Sequence, residues 1–356
     1  MKAKSYLDVI DVIRGVAVTG VVMVHTWAIF AISEDFNSPA QQRLSELFSS
    51  GRFGVELFFL ISGFLIAWIY ENSGKSTSSF LVARFFRIWP LWFLFSIVWA
   101  CIWWVEQELS AREIGYAVVL SSLFLLWTSH DFYDSFIGGA WSIQIEVFCY
   151  LVFAFAQKWS VRRLLMLAVF INIVGSLSSL YSLDTSGTLE SLRRLTFQTG
   201  FNFFLFGWLI ARYLPGNLES RKDTHKQPLQ IPKLWLSIWG GSFLLTPAIY
   251  GSPIEALGAV LIYIGASLLI FRAMYPARLF KWLGNHSYFI FFAHFVVLHF
   301  AADLAGDISG VNPLLSIILT PILVVAILVF IAPFAAFSMR FFERPLQKFG
   351  RSLKKN

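Results

Sequence analysis

Charged side chains are scarce in this chain, and so are cysteines. Asp, Glu, Lys and Arg make up 14% of its 356 residues, against about 25% in a soluble domain. That shortfall excludes an ordinary water-soluble globule. The two cysteines, Cys101 and Cys149, lie in apolar stretches with no paired spacing and no histidine cluster nearby. Neither a disulfide framework nor a metal site is expected. The only long hydrophilic stretch, about 214–233 with Pro215, Pro228 and Pro232, is too short for a domain, and no internal repeat is visible. The formal net charge of +7 comes from basic residues that fall mostly in loops on one side. Spread in this way it reads as membrane topology, with anionic headgroups or an anionic substrate as secondary readings. It is not a nucleic-acid footprint.

What is abundant is apolar sequence, 57% of the chain. It comes in segments near 7–30, 53–70, 88–105, 114–128, 142–157, 164–181, 195–213, 234–250, 255–272, 282–301 and 313–335. Segments this long satisfy their backbone in lipid as helices, not as barrel strands. The fold class is therefore an all-α, polytopic integral membrane protein. Lys2 and Lys4 precede the first run, which is too long for a signal peptide and contains ionisable groups, so an uncleaved first span is expected.

Basic loops set sidedness. Lys2 and Lys4 place the N-terminus in the cytoplasm, and Lys75, Arg84 and Arg87 follow two crossings later. From the other end, Arg340, Arg344, Lys348, Arg351, Lys354 and Lys355 are cytoplasmic. So are Arg272, Arg278 and Lys281, the loop with Arg221, Lys222, Lys226 and Lys233, and Lys158, Arg162 and Arg163. His130 to Gly139 then falls outside. The two counts agree only if a single crossing separates Arg87 from His130. Ten spanning helices with both termini cytoplasmic are predicted, and 114–128 is re-entrant or lies at the outer surface. One transmembrane domain is expected over 1–340, with a basic cytoplasmic tail over 341–356. The chain runs only about 20 residues past the last apolar segment, so no appended soluble domain is expected.

Ionisable groups inside spans carry the functional signal, because each costs roughly 2.5–3.5 kcal/mol at mid-membrane and usually faces a protein interior or a wet cavity. Arg14 and His25 stand eleven positions apart in the first span. At about 100° and 1.5 Å per residue they share a face, roughly 16 Å apart. A cation and an imidazole in line suggest a passage with an anion-holding end and a proton-handling end. Arg14 also fits a snorkelling anchor, and His25 a helix-bridging histidine. Asp11 is spaced to pair with Arg14, and Gly15 and Gly20 allow close approach by a helix or ligand.

Four further motifs stand out. Gly54-Val-Glu56 opens the second span, and Ser62-Gly63 puts a small polar patch at its middle. Arg84 and Arg87 lie three apart ahead of Pro90, which suits a helix first turn. Free N–H groups and guanidinium forks there fit phosphates, although a positive-inside anchor explains the arginines equally. Trp141-Ser142 leads a run in which Ser142, Glu146 and Tyr150 recur every four residues on one face. Gly284-Asn-His286-Ser287-Tyr288 is followed by His294 near mid-membrane, which also reads as a packing histidine. Phe342-Glu343-Arg344-Pro345 reads as a helix stop, with pairing to the arginine loop as a second reading.

Taken in order, these blocks resemble the acyltransferase 3 family of bacterial inner-membrane O-acyltransferases. The chain has Glu56 where relatives often have Asp, and Ile143-Gln144-Ile145 where they have Leu-Ser-Val. Many relatives also carry an extra-cytoplasmic esterase-like domain, and none is expected here. The resemblance implies a multi-pass protein of the inner membrane that moves an acyl group, usually acetyl, from cytoplasmic acyl-coenzyme A to a hydroxyl of a surface glycan or its lipid-linked precursor. Acyl-CoA is then a donor substrate, and no bound cofactor or metal is expected. In this reading Arg14, Arg84 and Arg87 hold the donor, and His25 is the general base with Glu146 or Glu56 steadying its imidazole. Asp11, Ser62, Gly63, Trp141, Ser142, Tyr150, Tyr288 and His294 support them. A covalent acyl-histidine is an alternative course. A glycan or lipid transporter, or a structural membrane subunit with helix-pairing charges, are the rival functions.

Overall fold

The structure is a computed structural model that describes residues 2–31, 38–70, 76–129, 131–132, 136–181, 198–213, 233–244, 252–306 and 313–353. Every element among them is helical. In chain order they are α1 (Lys2–Ala31), α2 (Pro39–Ser49), α3 (Gly54–Tyr70), α4 (Thr77–Val105), α5 (Ala111–Ser122), α6 (Ala140–Ala156) and α7 (Val161–Tyr181). There follow α8 (Gln198–Tyr213), α9 (Lys233–Leu244), α10 (Pro253–Arg272), α11 (Met274–Gly306), α12 (Pro313–Ser338) and α13 (Arg344–Ser352). Five helical stretches among the described residues are long and apolar enough to cross a membrane: Asp8–Ile29, Pro39–Tyr70, Thr77–Val105, Pro253–Arg272 and Leu315–Ser352. Large apolar side chains stand on outward faces, with Val105 77%, Phe155 74% and Ile262 72% exposed. Such surface suits lipid and not water. The chain is an all-α, multi-pass membrane protein.

The helices form two compact units, Met1–Phe58 with Ala256–Arg344, and Phe59–Glu255 with Pro345–Asn356. In the first, α1 lies along α11 and also touches α2 and α12. In the second, α4 packs on α5 and α6, α8 packs on α6, and α7 packs on α8 and α9. Small residues permit these approaches: a Cβ on Gly63 would meet the Phe204 carbonyl, and one on Gly207 the Leu60 carbonyl.

Several boundaries differ from the hydropathy reading. The third apolar segment was expected from about residue 88, with Pro90 in its first turn. Instead α4 starts at Thr77, capped by Ser76, whose Oγ accepts from the Ser79 N–H at 3.2 Å. Pro90 is therefore inside the helix, and Arg84 and Arg87 occupy its second and third turns. Their charge lowers hydropathy without lowering helix propensity. The free N–H groups expected beside them are already spent in the helix. α2 was not anticipated, yet Ser38-Pro-Ala-Gln41 is a capping box with proline at its start. Beyond α12 the chain makes a π turn over Met339–Glu343. Pro345 has no N–H, and a widened turn before it absorbs that loss.

Lys75, most of the 214–233 loop, part of the expected external stretch 130–139, and Lys354 and Lys355 lie outside the described residues.

Candidate active site

In the first unit the face of α1 that bears Arg14 and His25 is turned to α11. Three contacts recur at three-residue steps on both helices. Lys281 Nζ donates to Asp8. Gly284 sits against the Asp11 carbonyl, where a Cβ would collide. Arg14 Nη2 donates to Ser287 Oγ at 2.9 Å. Positions 8, 11 and 14 thus meet 281, 284 and 287, which makes the two helices parallel. Gly15 completes the seam, because a Cβ there would strike the Phe280 carbonyl. Glycine at both positions is what lets the backbones come this close.

His25 lies farther along the same face. Its Nδ1 is 2.8 Å from the Val21 carbonyl and 3.2 Å from His294 Nε2. A carbonyl only accepts, so Nδ1 carries the proton and donates. Nε2 then keeps its lone pair, and it makes no hydrogen bond among the described residues. The Phe295 ring flanks the imidazole, with centroids 4.5 Å apart. The Nδ1 partners are therefore a backbone carbonyl and a second imidazole, not the carboxylate that the motif reading assigned.

Glu56 lies in the first turn of α3 and is buried. It follows a tight 3₁₀ turn (Ser50–Phe53) that packs on α1. A Cβ on Gly51 would meet the Gly20 carbonyl, and one on Gly54 the Ala17 carbonyl. These two contacts fix where α3 begins and so where Glu56 stands. Tyr288 and His286 lie on α11 within this unit, and His286 stacks on Trp282 at 4.1 Å between ring centroids.

The second unit holds another polar cluster. The Tyr150 hydroxyl donates to Glu146 Oε1. Ser62 Oγ lies 3.1 Å from the same hydroxyl and donates to Glu146 Oε1 at 3.4 Å. The Glu146 carboxylate thus has two hydroxyl donors: Tyr150, four positions on along α6, and Ser62 of α3, while Ser142 of the same repeat bonds elsewhere. Arg84 sits against the Tyr150, Tyr70 and Phe80 rings at 5.7, 5.8 and 5.9 Å. Its Nε is buried without a hydrogen-bond partner among the described residues. Arg87 is half-buried, one turn on. Ser142 Oγ donates to the Gly139 carbonyl at 3.0 Å, and Gly139 has φ 70° before the helix starts. Ser142 is thus an anchor for the start of α6. Trp141, beside it, is half-buried.

The motifs give Ser287 and Gln144 no site role, and His294 only a supporting one. Ser287 and His294 were read for their own helix, and their roles lie in what they meet on α1. Gln144 is buried and accepts the Trp127 N–H at 2.8 Å, tying the 3₁₀ turn Leu126–Thr128 to α6. Its sequence signal was a polar residue inside an apolar run.

No solved structure matches the chain. Among curated proteins it is similar to the peptidoglycan O-acetyltransferase OatA of Listeria monocytogenes, 25% identical over 98% of this chain and 57% of that protein. It is also similar to the O-acetyl transferase of Shigella phage Sf6, 28% identical over 47% of this chain and 53% of that protein. The chain spans little more than half the length of the first of these relatives. A family model described as an acyltransferase domain matches residues 7–337. The motifs of the spans and a match over nearly the whole chain agree: this protein belongs to the acyltransferase 3 family.

Proposed function

We propose that the protein is an O-acyltransferase that moves an acetyl group from cytoplasmic acetyl-CoA to a hydroxyl of a surface glycan or its lipid-linked precursor. The names of the similar proteins support acetyl and, for one of them, a cell-wall glycan. The observation that carries the mechanism is the state of His25. Its Nδ1 proton is engaged and its Nε2 lone pair is open. That is the form a general base requires.

In this reading the acceptor hydroxyl gives its proton to His25 Nε2 as its oxygen attacks the thioester carbonyl. The carbon–sulfur bond breaks, and the leaving thiolate takes the proton back from Nε2. The products are an ester and free coenzyme A, and no metal enters. Arg84 and Arg87 hold donor phosphates through charge-assisted hydrogen bonds. Arg14, steadied by Ser287, lends positive charge to the donor's path. Glu56 and Glu146 supply balancing negative charge, each within its own unit. Residues 1–340 act as one acyltransferase domain in the bacterial inner membrane, and 341–356 form a basic cytoplasmic tail.

Single-turnover transfer of labelled acetyl from acetyl-CoA in isolated membranes tests this. His25→Ala is expected to lower the rate at least about 100-fold, the scale of general-base catalysis, while the protein still accumulates. Equal consumption of donor by that variant would remove His25 as the base.

A further inference from the structure

We propose that His294 is the positioning residue of this site: it ties the His25 ring to α11 and accepts the Nδ1 proton, so that Nε2 stays basic and aimed. The proposal rests on the reading of His25 as the base.

His294 is fully buried. Its Nδ1 lies 3.0 Å from the Ile290 carbonyl and its Nε2 3.2 Å from His25 Nδ1. Only one assignment satisfies all the partners. Each Nδ1 faces a carbonyl of its own helix and must donate, so His294 Nε2 is a bare lone pair directed at His25. Any other tautomer of either ring would set two lone pairs against each other at this contact, which costs about 1–3 kcal/mol for each unmade bond. Phe295 closes the pair, with its ring centroid 4.5 Å from His25 and 4.1 Å from His294.

The Val21 bond moves with α1 and cannot by itself fix the ring relative to a neighbouring helix. His294 supplies that second point. It also matters during transfer. When Nε2 takes the alcohol proton, the ring is a cation whose Nδ1–H keeps two acceptors. A carboxylate does this work in a Ser-His-Asp triad, but it adds a full charge to the site. A neutral imidazole orients the base without a second buried charge, which low-dielectric surroundings would penalise. No net proton is left on either ring at the end, since the thiolate leaves with the one the alcohol gave.

Four purified proteins in detergent decide the matter: wild type, His25→Ala, His294→Leu and His294→Gln. The readouts are kcat and KM for acetyl-CoA, with the folded fraction taken from size-exclusion chromatography. His294→Leu keeps bulk but has no acceptor. It is expected to lose about 10–100-fold in kcat, the scale seen when the partner that orients a functional histidine is removed, with KM within about twofold. His294→Gln offers a carbonyl oxygen to the same N–H and is expected to recover most of the loss. Wild-type kcat in His294→Leu overturns the proposal, as does a loss confined to KM or a Gln variant no better than Leu. An inactive His25→Ala alongside any of these leaves the base reading standing. An active His25→Ala overturns the base reading and this proposal together. If His294→Leu does not accumulate, the Gln variant decides, with near-wild-type kcat supporting the role and a full loss overturning it.

Discussion

Arg84 keeps its charge wherever it is placed, because a guanidinium does not give up its proton in a protein. Three aromatic rings within 6 Å take the place of water around it, an arrangement worth about 2 kcal/mol when desolvated. They do not satisfy its buried Nε donor. A donor left unmade costs about 1–3 kcal/mol, and an oxygen from a bound phosphate would relieve it. Lysine keeps the charge but loses both the planar fork and the ring contacts. Arg84→Lys is therefore expected to raise KM for acetyl-CoA about tenfold, with kcat changed much less. Steady-state kinetics at fixed acceptor would show it, and an unchanged KM would take Arg84 out of the donor site. The types and positions of Arg14, His25 and Arg84 were readable from sequence because a charge inside an apolar run is rare and costly. Their partners were not. Ser287 and His294 lie about 270 positions from Arg14 and His25, and no local periodicity records which helices meet.

The seam between α1 and α11 shows the same division at the level of elements. Gly15 signalled a close approach, and the six-residue run from Leu283 to Tyr288 signalled a polar patch. That these two fit, with 8, 11 and 14 against 281, 284 and 287, emerges only when both helices are in view. The boundaries were less legible. α4 reaches back to Thr77 because Ser76 caps it, and hydropathy is blind to caps. The seam makes its glycines sensitive. A methyl at Gly284 would collide with the Asp11 carbonyl, whereas one at Gly240 on α9 meets nothing within 4 Å. Backbone atoms cannot yield as a flexible side chain does, so Gly284→Ala is expected to cost at least about 1–3 kcal/mol and to lower transfer by misplacing Arg14 and His25. Gly240→Ala is expected to be neutral or to gain a few tenths of a kcal/mol from helix propensity. Thermal unfolding of the two variants in detergent compares them directly. Equal midpoints would mean that α1 and α11 do not approach as closely as described.

For the whole chain, the all-helical membrane class followed from composition and the length of the apolar segments, and the number of crossings depends on α5. This helix has 12 residues. At about 1.5 Å per residue it is roughly 18 Å long, short of the roughly 30 Å hydrocarbon layer. Its start carries Arg112 and a Ser110–Glu113 capping box, polar groups that suit an aqueous interface better than hydrocarbon. Two Trp side chains of α4 hold its far end: Trp89 Nε1 donates to the Ser122 carbonyl at 2.9 Å and Trp92 Nε1 to Ser121 at 2.8 Å. A helix tied to its neighbour in this way can rest within the outer half of the membrane. If it does, the loops before and after it open on the same side, and ten spans with both termini inside is the topology expected from the basic loops. Accessibility reporters inserted at Ser110 and at Gly138 are both expected to respond from outside the cell. Reporters that respond from opposite faces would make α5 a crossing. One basic cluster would then have to break the positive-inside pattern, and ten spans would become eleven with the termini on opposite sides.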